Sequence, residues 1–157
     1  MRRSNFSCGN TELDRWLRTH ASQAERDHTA RTFLAVDEDE LLVGYYSLTT
    51  YRLALPAVMD ALGHEEVRYP KSALLLARLA IDRLYERQGI GSEILVDAFI
   101  RACLVSNDVA FEWVIVEAID SEAANFYRRN GFTPFNETPL RLFIKTKDIQ
   151  RHVRTRN

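Results

Sequence analysis

The stretch Leu84-Tyr-Glu-Arg-Gln-Gly-Ile-Gly-Ser-Glu-Ile-Leu95 places Gly89 and Gly91 between two apolar segments of a chain that has only six glycines. Apolar residues recur at helical spacing after the pair, which predicts a helix over residues 90–106. The first N–H groups of a helix have no partner inside it and carry partial positive charge. A loop without side-chain bulk at that point therefore favours the binding of a phosphate or a pyrophosphate.

A glycine pair of this kind is also compatible with a tight turn that binds nothing. Two familiar phosphate loops do not fit the stretch. The sequence contains no G-x-x-x-x-G-K-[ST] run, which a nucleotide P-loop requires. A dinucleotide fingerprint needs a third glycine at the position that Ile94 occupies. The ligand is therefore not expected to be ATP or NAD held in the usual way.

The patterns around the loop predict one mixed α/β (α+β) domain over residues 1–157, with a central sheet covered by helices. Helices are predicted at 10–26, 57–62, 90–106 and 121–130, the first capped by Asn10 or Thr11. Strands are predicted at 31–36, 41–51, 72–82, 111–119 and 140–145, with a turn at 37–40. The polar residues from about 147 onward predict either a helix end or a disordered tail.

The composition of the chain limits the classes of protein to which it can belong. With 46% apolar and 27% charged residues, the chain is typical of soluble globular proteins, and no apolar run reaches the roughly 18 residues of a membrane span. The start lacks the apolar stretch of a secretory signal. Cys8 and Cys103 have no metal or redox spacing, which indicates reduced thiols and a cytoplasmic location. With a net charge of −1 and a pI of about 6.4, the chain as a whole does not attract nucleic acid. Any nucleic-acid binding would have to use a local basic patch.

Three segments in the right order resemble the GNAT family of acyl-coenzyme A-dependent N-acetyltransferases. Glu86-Arg-Gln-Gly-Ile-Gly91 is similar to the family's [QR]-x-x-G-x-[GA] pyrophosphate loop, with Glu86 as a departure at the first position. Leu76-Ala-Arg-Leu-Ala-Ile-Asp82 is similar to its fourth strand. Ser121-Glu-Ala-Ala-Asn-Phe-Tyr-Arg-Arg-Asn-Gly-Phe132 is similar to its N-x-x-A-x-x-F-Y-x-x-x-G-F ending.

The resemblance implies the GNAT fold, with a mixed sheet splayed at the fourth strand, helices on both faces, and acetyl-CoA as cofactor without a metal. It implies that Tyr127 is catalytic, as the proton donor to the coenzyme sulfur, because a phenol of pKa about 10 is protonated at pH 7. It also implies coenzyme contacts from the loop, the strand and the later helix, namely Arg87, Gln88, Gly89, Ile90, Gly91 and Ser92, then Leu79, Ala80 and Ile81, and finally Asn125 and Phe126.

No general base stands out in the sequence. Glu117 and Asp120 lie at the end of the strand before the Tyr127 helix, where they either face the site or serve as capping and solvated residues. The four histidines are scattered and are expected at the surface. A base is dispensable for an α-amine, whose pKa of about 8 leaves a useful neutral fraction, whereas a lysine near 10 needs more help.

Both ends of the chain resemble one branch of the family, the GNAT toxins of bacterial type II toxin–antitoxin modules. The similar segments are residues 6–17, 43–48, 78–82 and 139–144. Those toxins acetylate the α-amine of aminoacyl-tRNA and block translation. The resemblance therefore implies an aminoacyl-tRNA substrate, a ribbon-helix-helix antitoxin and a homodimer.

RNA contacts are expected from Arg78, Arg128 and Arg129, since local arginines supply phosphate contacts even in a neutral chain. Two other functions stay open at this point. One is a GNAT enzyme that acts on a small-molecule amine or a protein N-terminus. The other is a module that binds coenzyme A or a partner without catalysis.

Overall fold

The computed structural model describes residues 5–63 and 69–156, the last two by their backbone alone. Helices and strands are interspersed along the chain, with a short 3-10 turn at Arg83–Tyr85. In chain order they are α1 (Thr11–Thr19), α2 (Ala21–Arg26), β1 (Arg31–Val36), β2 (Leu42–Leu53), α3 (Leu55–Leu62), β3 (Lys71–Ile81), α4 (Ile90–Ser106), β4 (Trp113–Glu117), α5 (Ser121–Arg129), β5 (Thr133–Pro134), β6 (Arg141–Lys145) and α6 (Thr146–Arg156).

The strands form a mixed six-stranded sheet in the order β1-β2-β3-β4-β6-β5. β3 and β4 are parallel, whereas β1 with β2, β4 with β6, and β5 with β6 are antiparallel. The pairing of β3 with β4 runs from Ala73 to Leu76, and β3 itself continues to Ile81. The predicted mixed α/β class is confirmed.

The chain divides into two units, residues 1–49 with 77–98 and residues 50–76 with 99–157. β2, β3 and α4 each begin in one unit and end in the other. The prediction of a single domain over the whole chain stays a prediction. Within the described residues, no helix combines the length and the apolar character needed to cross a membrane.

The first unit packs α1 and α2 against the β1–β2 hairpin. The side chain of Asn10 accepts a hydrogen bond from the Leu13 N–H at 3.0 Å, so the predicted N-cap is confirmed. The single helix predicted over 10–26 is wrong, because a turn at His20, where φ is −116, separates α1 from α2. Thr19 Oγ1 donates to the Arg15 carbonyl at 2.7 Å, a side-chain bond that bends helices. The core of this unit consists of Phe6, Leu17, Ala21, Leu42, Tyr45 and Ala80.

Gly44 lets α4 and β2 approach each other closely. A methyl group on Gly44 would lie 2.5 Å from Ile94 Cδ1 and 2.8 Å from the Ala80 carbonyl oxygen. Real side-chain atoms do not tolerate such distances. The contact therefore fixes the first turns of α4 over the hairpin, and the glycine loop leads directly into that helix.

The second unit has its own core around Trp113 and Phe143, whose rings stack with centroids 4.4 Å apart. α3 begins two residues before the predicted start, because Pro56 suits the first turn of a helix. The polar end of the chain forms α6, on which Ile149 is fully buried. Of the two alternatives for this segment, helix is therefore the correct one.

Candidate active site

The glycine loop ends where α4 begins, at Ile90. Gln88, Gly89 and Ser92 are exposed, while Ile90 and Gly91 are half-buried. The Gly89 carbonyl accepts the first hydrogen bond of the helix, from the Glu93 N–H at 3.2 Å. The preceding N–H groups of this first turn have no partner inside the helix, so they are available to an anion.

Two residues of the loop adopt left-handed backbone conformations. Gly89 has φ +78, and a methyl group there would have no heavy atom within 4 Å beyond its chain neighbours. Arg87 has φ +62, which costs a non-glycine residue about 1–2 kcal/mol. Strained backbone of this kind clusters at ligand sites. The loop thus has a turned backbone and open space in front of it, both of which a pyrophosphate site requires.

Acidic side chains also lie close to the loop. Glu86, at the position where the family has Gln or Arg, is exposed, and so is Glu93 in the first turn of α4. Exposure leaves both carboxylates free to stay hydrated. An anion at this loop would therefore be held by backbone N–H groups rather than by the side chain at position 86.

Asp82 and Asp37 hold the segment between β3 and the loop. The buried Asp82 carboxylate accepts hydrogen bonds from the Ser7 N–H at 3.1 Å and the Leu84 N–H at 3.0 Å. Tyr85 Oη donates to Asp37 at 2.7 Å. This hydrogen bond lowers the pKa of Asp37 and raises the pKa of Tyr85. Sequence reasoning missed both anchors, since the turn pattern around Asp37 does not reveal its distant partner.

The end of β3 carries the residues predicted to contact the coenzyme arm. Leu79 and Ile81 are half-buried and lie on the opposite face of the strand from Ala80, because side chains alternate along a strand. Ala80 is buried in the core of the first unit. Any contact of Ala80 with a coenzyme is therefore restricted to its backbone.

Arg78 shares the face of Ala80 and lies against aromatic residues. Its guanidinium carbon is 3.8 Å from the centroid of the Trp16 ring, and Nη1 is 3.5 Å from Ser47 Oγ. Partial burial lowers the pKa of Arg78, while the nearby Tyr45 opposes that shift. Trp16 was not among the residues predicted from the sequence, where it appeared only as one apolar position of a helix.

Tyr127 belongs to the second unit, and the F-Y-x-x-x-G-F motif fixes its ring. Gly131 has φ +99 and turns the chain after α5. The Phe132 N–H then donates to the Tyr127 carbonyl at 3.1 Å and the Gly131 N–H to the Arg128 carbonyl at 3.2 Å. This is a Schellman ending, and the two aromatic rings that it brings together have centroids 5.4 Å apart.

The Tyr127 side chain is 7% exposed. Burial raises the pKa of its phenol above the ordinary value, so the group stays protonated at physiological pH. Asn125 is exposed and Phe126 half-buried on the same helix. Arg128 and Arg129 are exposed in the last turn, where basic residues also stabilise the negative end of the helix dipole.

Both candidate carboxylates near Tyr127 have structural partners. Asp120 caps α5 by accepting the Ala123 N–H at 2.8 Å. Glu117 pairs with Arg141 across the β4–β6 ladder, with Oε1 and Nη2 3.1 Å apart. Asp120 therefore serves as a helix cap and Glu117 as a surface ion-pair partner. The structure gives no support to a role as general base for either residue.

The predicted site residues fall into two groups. The loop, the end of β3 and Arg78 lie in the first unit, whereas Tyr127 and its neighbours on α5 lie in the second. Each group is brought together within its own unit. In the described part of the chain, no cluster of three or more His, Cys, Asp or Glu side chains is placed to hold a metal ion.

Comparison with known proteins finds an acetyltransferase family and an acetylating toxin among the relatives of this chain. Residues 28–134 match the family described as the acetyltransferase (GNAT) domain. A tRNA-acetylating toxin of Mycobacterium tuberculosis is 31% identical over 149 residues, which cover 94% of this chain and 87% of the relative.

Solved structures agree in fold. AtaT complexed with acetyl-methionyl-tRNAfMet is 27% identical, with a TM-score of 0.84 over 96% of this chain and 91% of that one. A tyrosine-to-phenylalanine mutant of AtaT, bound to the C-terminus of the antitoxin AtaR and acetyl-CoA, is 27% identical, with a TM-score of 0.80 over 96% and 89%. With a family match over more than half of its length, the chain belongs to the GNAT family of acetyltransferases.

Proposed function

We propose that this protein is the toxin of a bacterial toxin–antitoxin module. It transfers the acetyl group of acetyl-CoA to the α-amine of aminoacyl-tRNA, and the blocked amine cannot take part in translation. The observation that carries the proposal is the 31% identity to a tRNA-acetylating toxin over 94% of the chain, which reaches well beyond the coenzyme loop.

Acetyl-CoA is held by the glycine loop and the end of β3. The N–H groups of residues 88–92 bind the diphosphate, as the exposed helix start and the open space at Gly89 favour. The backbone of Leu79, Ala80 and Ile81 pairs with the pantetheine arm in the manner of an added strand. A backbone N–H of the same segment, near Leu79 or Ile81, polarises the thioester carbonyl. Arg87 adds positive charge, while Asn125 and Phe126 contribute further contacts from α5.

Tyr127 acts as the proton donor to sulfur. When the amine attacks, the C–S bond breaks, the nitrogen must lose a proton and the departing sulfur gains one. A phenol whose pKa burial has raised is a weaker acid than a thiol. Its proton therefore moves as the C–S bond breaks, and the proton released from nitrogen restores the phenol. A structure of AtaT was solved with a tyrosine changed to phenylalanine. A tyrosine is therefore also of interest in this structural relative.

The partners follow the same reasoning. AtaT has been observed with acetyl-methionyl-tRNAfMet and with the C-terminus of its antitoxin. We extend these features to an aminoacyl-tRNA substrate contacted by Arg78, Arg128 and Arg129, and to a ribbon-helix-helix antitoxin. A homodimer and a cytoplasmic location complete the proposal.

The test is incubation of the protein with labelled acetyl-CoA and total charged tRNA, followed by identification of the modified aminoacyl end. The expected result is label on the α-amine of one or a few aminoacyl-tRNAs, together with growth arrest on expression. Labelling of free amines or protein N-termini, with none on charged tRNA, would instead establish the small-amine or N-terminal acetyltransferase. Coenzyme A binding without acetyl transfer to any amine would overturn both enzymatic functions.

A further inference from the structure

Among the residues that the structure describes, Arg78 is a half-buried cation without a negative partner. Its guanidinium lies 3.8 Å from the Trp16 ring and makes one long contact, 3.5 Å, with Ser47 Oγ. Within residues 5–63 and 69–156, no carboxylate forms an ion pair with it. Charged groups that lose water are normally paired, because desolvation is costly. Most of the five guanidinium N–H donors therefore remain available to a ligand.

The surface under Arg78 is rigid. Trp16 stacks on Tyr45, with ring centroids 6.1 Å apart and planes 11° from parallel. Tyr45 Oη donates to the Leu13 carbonyl at 2.7 Å, and Phe6 packs edge-on against the same ring at 5.7 Å. The cation thus rests on an aromatic stack that is already in place. A preorganised guanidinium loses little entropy when it binds an anion.

The position of Arg78 along β3 indicates what the anion belongs to. Arg78 and Ala80 project to the face that carries α1, whereas Leu79 and Ile81 project to the other face. A methyl group on Gly44 would meet both Ile81 and Ile94 of α4, so this second face is the one that carries the coenzyme loop. Arg78 therefore stands beside the proposed thioester position, on the face opposite the loop.

We propose that Arg78, supported by Trp16, binds the phosphate of the RNA acceptor that lies nearest to the aminoacyl ester. The inference rests on the proposed function, since of the candidate amine acceptors only an aminoacyl-RNA carries such a phosphate. A guanidinium matches a phosphate with two parallel hydrogen bonds, which a lysine ammonium does not reproduce. The contact holds the α-amine at the thioester by fixing the nucleotide to which it is attached.

The experiment compares two acceptors that carry the same amino acid. One is the aminoacyl-tRNA that the wild-type protein acetylates, and the other is the methyl ester of that amino acid, which has no phosphate. Arg78→Gln is expected to lower kcat/KM for the aminoacyl-tRNA about 10- to 100-fold, the range for one charge-assisted contact. It should change kcat/KM for the methyl ester by less than about twofold. The salt dependence of the tRNA reaction should weaken by about one phosphate contact.

Two further variants keep the result interpretable. Arg78→Lys retains the charge but loses the planar pair of donors, and should give an intermediate loss with the tRNA alone. Lys71→Gln removes a cation from the same strand that Glu112 already neutralises, with Nζ and Oε1 3.0 Å apart, and should leave both acceptors unaffected. Thermal melting establishes that each variant is folded.

The outcomes separate the hypotheses. An equal loss with both acceptors assigns Arg78 to catalysis or folding and overturns the phosphate contact. No loss with either acceptor overturns it as well. A loss confined to the methyl ester would overturn it too, because that acceptor carries no phosphate. If the wild-type protein acetylates no charged tRNA, the proposed function fails first and the phosphate contact fails with it.

Discussion

Gly89→Ala separates binding of the coenzyme diphosphate from mere turn formation. In the free protein the added methyl group meets no heavy atom within 4 Å beyond its chain neighbours. The cost is therefore confined to the left-handed backbone at φ +78, about 1–2 kcal/mol. For a chain of this length each kcal/mol lowers Tm by about 2–4 °C, so we expect a drop of roughly 2–8 °C.

Coenzyme binding should suffer more than folding does. The methyl group projects into the space that the diphosphate is proposed to fill, and it keeps the ligand away from the N–H groups. Loss of one hydrogen bond to a charged group is worth about 1.5–3 kcal/mol, so Kd for coenzyme A should rise about 10- to 100-fold. Isothermal titration calorimetry with coenzyme A, and with pantetheine, which lacks the diphosphate, measures this directly.

Gly63→Ala is the matched control, because Gly63 ends α3 at φ +68 and its nearest atom, Asn136 Nδ2, would lie 3.6 Å from the new methyl group. It carries the same backbone strain without a place in the loop. Its Tm should fall by a similar amount while coenzyme A binds normally. Unchanged affinity of Gly89→Ala for coenzyme A, or an equal loss with pantetheine, would refute the diphosphate site.

Three more changes test other parts of the structure. Tyr127→Phe keeps the ring contacts but removes the proton, and should lower kcat about 10²- to 10⁴-fold with little change in KM for acetyl-CoA; full activity would contradict the donor role. Gly44→Ala should destabilise the fold by at least about 1–3 kcal/mol in urea titration, because its methyl group would lie 2.5 Å from Ile94 Cδ1; wild-type stability would disprove the close approach. Asp37→Asn removes a carboxylate whose pKa the Tyr85 hydrogen bond lowers. A lowered pKa stabilises the fold above its unfolded value of 3.8, and that stability is lost as pH falls through the folded pKa. The stability advantage of the wild type over Asp37→Asn should therefore shrink on acidification below about pH 4; a constant difference would argue against the ionised hydrogen bond.

Local patterns predicted the parts of the site that local interactions determine. The sequence indicated a helix start at the glycine pair, and α4 begins at Ile90. It also indicated that Gly131 ends the Tyr127 helix, and the Schellman bonds follow directly from that residue. In both cases the deciding contacts lie within about five residues of one another. Backbone geometry that glycine alone tolerates easily is visible in a sequence.

Contacts between distant segments were not predictable in the same way. The Tyr85–Asp37 hydrogen bond and the stacking of Arg78 on Trp16 join residues far apart in the chain. Periodicity indicates which face of an element is apolar, but not which side chain of another element it meets. The break of the first helix at His20 escaped prediction as well, because the stripe of apolar residues continues across it. These contacts became visible only in the folded structure.

If neither candidate carboxylate serves as a base, the chemistry of the acceptor itself would contribute to selectivity. Asp120 and Glu117, the two candidates beside Tyr127, are engaged in a helix cap and an ion pair. The nucleophile must then come from the neutral fraction of the amine that is already present in solution. At neutral pH an α-amine with a pKa near 8 has a neutral fraction about two orders of magnitude larger than a lysine with a pKa near 10.4. The proposed enzyme would therefore favour the aminoacyl end over protein lysines before any contact with RNA is made.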